Sequence, residues 1–320
     1  MYSSLLARIL SIASLVAVPL FLEQGLAQAR QTPPPPPVYK PEIAYASNQG
    51  ATYSIYVANS DGTNAVAVYS VKGLPSGELA FVPGSGTGSG QLVFIQLYSV
   101  KLLTFTVTPS GVSTSNVMTL ATEPTLIHYL SVSAVTSAGQ FVLYGVGNPD
   151  NTTTIKVVST AGGPPTTVAR GNFGDAVWSH DLSRIAVLNG NPLVAGVVQQ
   201  IEMWELDSSF VVQPNPTVIY GPTSCNGCLS NLAFARANDF VIFDGGSGVI
   251  YEVEADVSSP SVATPFAVSG YQGCFNHDDT QIIFRRFSDS HIFVYDISGM
   301  IQTAVSPSYG TSPDFRAWTP

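Results

Sequence analysis

One short pattern recurs along this chain and limits what it can fold into. An apolar strand, a tight polar turn and a second apolar strand run from Asp175 to Val187. Gly273 to Phe284 copies the whole of it, and Pro313 to Pro320 copies its first half. The second strand aligns by its last residue in six places: Ile43-Ala44-Tyr45, Leu92-Val93-Phe94, Val142-Leu143-Tyr144, Ile185-Ala186-Val187, Val241-Ile242-Phe243 and Ile282-Ile283-Phe284. The aligned ends lie 49, 50, 43, 56 and 41 residues apart. Each is followed by another strand, such as Ile55 to Val57 or Ile201 to Trp204, across turns like Asp61-Gly62. From Glu42 onward no segment carries a convincing helical period.

Four short strands every 40 to 50 residues are the signature of propeller blades. The expected fold is therefore all-β, a six-bladed β-propeller over residues 41–320. The chain enters at a second strand (Glu42 to Ser47) and ends on a first strand (Phe315 to Thr319). Pairing these two closes the ring and removes the free edges of an open array.

The N-terminus reads as a secretory signal peptide over residues 1–29. Arg8 supplies the positive start, Ile9 to Leu22 the apolar stretch, and Ala27-Gln28-Ala29 the small-x-small site, with cleavage expected after Ala29. An apolar run of that length is short for a bilayer span, so no stable membrane insertion is expected after cleavage. Residues 30–40 form a proline-rich linker whose five prolines, Pro33 to Pro37, make a stiff spacer. A net charge of −9 with only 12 Lys+Arg and no basic run argues against nucleic acid as a partner. It also argues against an anionic membrane surface. The mature protein is expected to be periplasmic or secreted, where Cys225 and Cys228 could close a disulfide across Asn226-Gly227.

Trp178-Ser179-His180-Asp181, Phe275-Asn276-His277-Asp278 and Ile55-Tyr56-Val57-Ala58-Asn59-Ser60-Asp61-Gly62 together resemble the TolB-like propeller repeat, also called the WD40-like or PD40 repeat. His180 and His277 stand where the repeat usually has proline, and Leu182 and Asp279 where it usually has glycine. The resemblance implies a propeller and says little about activity, because this fold carries many unrelated functions.

The loops entering the inner strands should gather at one mouth of the ring. Residues three before each aligned Phe or Trp would sit there: Glu78, Asp175, Asn231 and Gln272, with His128 and Asp314 close by. Arg285, His291 and Tyr271 belong to the same side. Such a ring of oxygens could hold Ca²⁺, or it could line a wet polar channel, which needs no cofactor. His180 and His277 look like turn residues, with Asp181 and Asp278 bonding local amides. No GxSxG elbow, phosphate loop or zinc spacing appears, and Gly84 to Gly90 is a glycine-rich turn without a following helix. Asn151-Thr152-Thr153 is a glycosylation sequon.

The function expected is a monomeric, non-enzymatic binding platform for a protein or peptide, in the cell envelope or outside the cell. Tyr53, Tyr129, Phe173, Tyr271 and Tyr309 are candidate contact aromatics, or else packing between blades. The alternative is a metal-dependent, lactonase-like hydrolase or a lyase with its site at the mouth. That reading needs convergent acids, histidines or arginines, which the sequence scatters among blades.

Overall fold

The computed structural model describes residues 41–49, 52–72, 78–82, 89–108, 111–133, 139–179, 181–190, 198–223, 229–236, 238–246, 248–256, 258, 260–276, 278–306 and 311–315. The signal-peptide and linker segments lie outside these residues, as do most of the Gly84 to Gly90 turn, His180, Cys225, Cys228, His277 and Tyr309. Among the described residues all regular structure is strand.

The strands fall into four-stranded units in chain order. The first holds β1 (Ile43–Gln49), β2 (Thr52–Ala58) and β3 (Val66–Lys72). The next is β4 (Leu79–Phe81), β5 (Ser89–Gln96), β6 (Ser99–Thr108) and β7 (Gly111–Thr122). Then come β8 (Ile127–Val132), β9 (Phe141–Gly147), β10 (Thr153–Ser159) and β11 (Thr166–Gly171). They are followed by β12 (Phe173–Trp178), β13 (Arg184–Asn189), β14 (Gln199–Glu205) and β15 (Thr217–Thr223). A seven-stranded sheet contains β16 (Ser230–Phe234), β17 (Phe240–Gly245), β18 (Val249–Glu254), β19 (Thr264–Phe275), β20 (Gln281–Arg286), β21 (Ile292–Asp296) and β22 (Ile301–Ala304). Strand β19 divides it, pairing with β18 from Thr264 to Ser269 and with β20 from Gly270 to Phe275. Last is β23 (Thr311–Phe315), which pairs antiparallel with β1 and completes the first unit in the order β23-β1-β2-β3.

All six sequence-aligned strands (β1, β5, β9, β13, β17 and β20) are second strands of their units. Their continuous apolar runs follow from burial on both faces. In β5, Leu92 and Phe94 join a core shared with β1 and β2, while Val93 and Ile95 join a core shared with β8 and β9. The alternation that marks a one-sided strand is therefore absent. Every core cluster lies between two successive units, and one joins Ile283, Ile292 and Val294 to Ile43 and Tyr45. The first strands follow the same order: β8 packs on β4, β12 on β8, β16 on β12, β19 on β16, and β23 on both β19 and β4.

Aromatic rings also lie across glycines on the neighbouring strand. Tyr129 faces Gly145, and Phe105 faces Gly90. A Cβ at Gly145 would come within 2.2 Å of the Tyr129 ring, and one at Gly90 within 2.4 Å of Phe105. The missing side chain is the seat of the ring. We predict that Gly145→Ala costs about 1–3 kcal/mol, because the ring has little room to move within a close-packed core; a melting temperature within about 1 °C of the parent would contradict this. Deleting residues 311–320 removes β23, leaves β1 paired with β2 alone, and should lower Tm by roughly 5 °C or more in a thermal melt.

Candidate functional site

Where the first strands begin, the ladder is repeatedly broken by an extra residue. The register shifts between Ile127 and Tyr129 in β8, Phe173 and Asp175 in β12, Ser230 and Ala233 in β16, and Tyr271 and Cys274 in β19. Asn231 and Gln272 occupy two of these bulges with φ of 51° and 55°. A bulge takes backbone amides out of the ladder, and a buried amide must find another acceptor. Here the acceptor is a carboxylate from another strand of the hub.

Three carboxylates serve this purpose. Leu130 N donates to Glu78 Oε2 at 2.9 Å, joining β8 to the entry of β4. Leu232 N donates to Asp175 Oδ2 at 2.6 Å, joining β16 to β12, while Ala176 N donates to its Oδ1 at 2.7 Å. Gln272 N donates to Asp244 Oδ2 at 2.9 Å, joining β19 to β17, and Asn231 Nδ2 donates to the same oxygen. Asp175 and Asp244 are 4% and 1% exposed. Glu78 as a whole residue is partly exposed, but its carboxyl is desolvated.

Burial dominates their electrostatics and opposes charge. Asp175 is pushed up to about 7 by desolvation, against the pull of the Leu232 and Ala176 amides. Asp244 also rises to about 7, first by desolvation and further by the charge of Asp175. Glu78 is raised well above the usual carboxylate range by desolvation and then by Asp175. The hydroxyl of Tyr129, a residue only 2% exposed, has no hydrogen-bond partner among the described residues. Burial and the charges of Asp175 and Glu78 raise it well above the phenol range. These groups are neighbours in one polar hub.

The other residues expected at the mouth are more dispersed. His128 is exposed, with Nε2 where a Cβ on Gly147 would lie within 2.3 Å, and partial desolvation lowers its pKa. Tyr271 is half-buried with its ring 5.2 Å from that of Phe287. Arg285 donates from Nη2 to Ser290 Oγ at 2.7 Å, and the backbone amide of His291 donates to Asp289 Oδ1. Asp314 pairs through its backbone with Ala44 on β1. Among the described residues no three His, Cys, Asp or Glu side chains are placed to hold one metal ion. Tyr53, Tyr129 and Phe173 are buried in cores, so of the five contact aromatics these three pack inside. Asp244 was missed, although an acid after the apolar run Val241 to Phe243 is a readable signal of a buried carboxylate. The turn acids behave as expected: Asp181 accepts from Ser183 N, and Asp278 from Thr280 N.

Among the described residues five large exposed apolar side chains lie at the same end of the sheets, while Val211, Val262, Met300 and Ile301 lie where third strands connect to fourth. Leu97 and Tyr98 form the β5–β6 turn, Leu126 the connection into β8, Val198 the entry to β14 and Phe287 the β20–β21 turn. Backbone bonds from Ile127 N to Leu97 O and from Glu123 N to Tyr98 O bring the first three together.

A chain from the crystal structure of the Nidogen/Laminin complex matches this arrangement with a TM-score of 0.59 at 12% identity, covering 86% of this chain and 97% of that one. At that identity the likeness speaks to fold alone, and with the sheet order it makes this protein a β-propeller. No family model matches the chain, and no curated protein matches it either.

The raised acids set a sign for stability against pH. Asp175 and Asp244 keep their protons up to about pH 7 when folded but lose them near 4 when unfolded. The folded state therefore binds more protons between those values, and stability falls as pH rises through them. Tm should be higher at pH 5 than at pH 8, by about 4 °C for an effect of roughly 2 kcal/mol. Asp244→Asn should shrink that difference, since its amide oxygen can still accept from Gln272 while Asn231 turns over. A Tm that rises steadily from pH 5 to 8 would refute the assignment.

Proposed function

We propose that this chain is an exported, six-bladed propeller, closed by β23 on β1, that acts without catalysis as a binding platform for a protein or peptide. Its export would follow signal-peptide cleavage after Ala29, to the periplasm or beyond the cell, where it works as a monomer. The cyclic series of inter-unit cores and the β1–β23 ladder support the closed ring. We read the repeat as TolB-like on its motif residues, and the Asp61 carboxylate accepting from Thr63 N and Oγ1 supports that turn.

The observation that carries the binding reading is the apolar surface at one end of the sheets. Tyr98 and Leu126 are 47% and 48% exposed on two segments that backbone bonds at Leu97 and Tyr98 hold together, with Phe287 on another unit. Exposed apolar groups held on a rigid frame favour docking, and tyrosine is a frequent anchor of such contacts. That the similar solved chain comes from a complex of nidogen with laminin supports the reading by analogy of fold. The hub carboxylates fit structural work better than hydrolysis, because Asp175 and Asp244 are closed from solvent and engaged by amides. The reading needs no cofactor, with Ca²⁺ at the mouth as the ion such a ring of oxygens would take.

The test is quantitative capture from the native extracellular or envelope fraction. A Tyr98→Asp/Leu126→Asp variant should lose at least tenfold of a specific partner, about 1.4 kcal/mol or more, with Tm unchanged within about 2 °C. Val262→Asp, at a 92% exposed position elsewhere, should capture as the parent does. Equal capture by all three proteins would remove this face from consideration.

A further inference from the structure

The hub joins successive units through side chains that share a burial problem. Glu78, Asp175 and Asp244 each accept a backbone amide from a first strand of another unit. The bridges to Leu130, Leu232 and Gln272 all lie at or just beyond a bulge, where the ladder offers those amides little else. The unpartnered Tyr129 hydroxyl adds a polar atom to the same desolvated space.

We propose that Glu78, Asp175 and Asp244 form a proton-operated clasp, which holds the first strands together when the carboxyls are neutral and admits water to the hub when they ionise together. The chemistry requires no added ligand. A neutral carboxyl still accepts an amide through its carbonyl oxygen, so protonation leaves each bridge in place. An ionised carboxylate makes a stronger bridge on its own. Three in one desolvated hub, however, repel one another and lack water. The least costly relief is hydration, and hydration requires the bulged ends to part.

Among the described residues the charges that bear on the three acids are one another's, with the Tyr129 hydroxyl beside them. Cationic groups on the surrounding strands are turned to other partners. On β10 Lys156 binds Glu123, on β13 Arg184 binds Asp239, and on β20 Arg285 binds Ser290 and Arg286 binds Asp289. His128 on β8 is exposed. On β9 the Tyr144 hydroxyl donates to Glu123, and on β19 Tyr271 packs on Phe287 while Cys274 Sγ contacts the Phe275 carbonyl. Asp314 belongs to β23, which packs on β4 and β19.

Amide hydrogen exchange on the full chain, corrected for the intrinsic rate at each pH, reads the clasp directly. Protection at Leu130, Leu232 and Gln272 should fall between pH 6 and pH 8 at least tenfold further than at Val187 and Ile242 in second strands, which lose only what the global loss of stability takes. Protection that stays constant at the three bridge amides, or falls equally at the second strands, would overturn the proposal. In Asp244→Asn the fall at Gln272 should be largely abolished; the parental profile there would also overturn it. Should that variant not fold, Asp175→Asn read at Leu232 makes the same test, and the parent's own profile remains decisive.

Discussion

The bond on which the inner part of this propeller depends runs from a bulged backbone amide to a carboxylate on another strand of the hub. A sheet secures its own strands through its ladder, but nothing in a ladder holds one sheet to the next. Between units that work falls mainly to apolar cores, which are non-directional. Leu130 on Glu78, Leu232 on Asp175 and Gln272 on Asp244 add direction, fixing which amide meets which acid. Trp178 N on Ser131 Oγ, at 3.3 Å, makes a weaker neutral bond of the same sense between β12 and β8.

The bulges explain why carboxylates are used. An acid offers several lone pairs on two oxygens, so Asp175 can satisfy Ala176 within its own strand and Leu232 on the next. A hydroxyl or amide oxygen could satisfy fewer amides from one position. The cost is charge in a desolvated place, and that cost rises with each acid added to the ring. Asn231, held at φ 51° so that its amide reaches Asp244, is one local answer, because it neutralises part of the charge with a donor and no counter-ion.

How much of this was legible in the sequence depended on whether the signal was local. The six second strands could be read because burial on both faces leaves uninterrupted apolar runs such as Leu92 to Ile95. The turns at Asp61, Asp181 and Asp278 could be read because an aspartate bonding two residues on is a short-range event. Glu78 and Asp175 were found by their offset from an aligned aromatic, yet their role was hidden, since it depends on an amide some fifty residues away. Tyr129 and Phe173 read equally as contact or packing residues. Only register shows Tyr129 lying on Gly145. Gly174 and Gly273 marked two of the bulges faintly, but Asn231 and Gln272 gave little warning, because they adopt positive φ without glycine.

The two ends of a first strand carry different burdens. At the entry end, the buried layer is polar and occupied by bridges, so the surface above it can expose Leu97, Tyr98 and Leu126 without drawing them into a core. An apolar hub would offer those side chains a competing place to bury, and the exposed turn would collapse inward. A satisfied polar hub removes that competitor. The carboxylates that hold the first strands in position thereby also leave the turns outside them exposed.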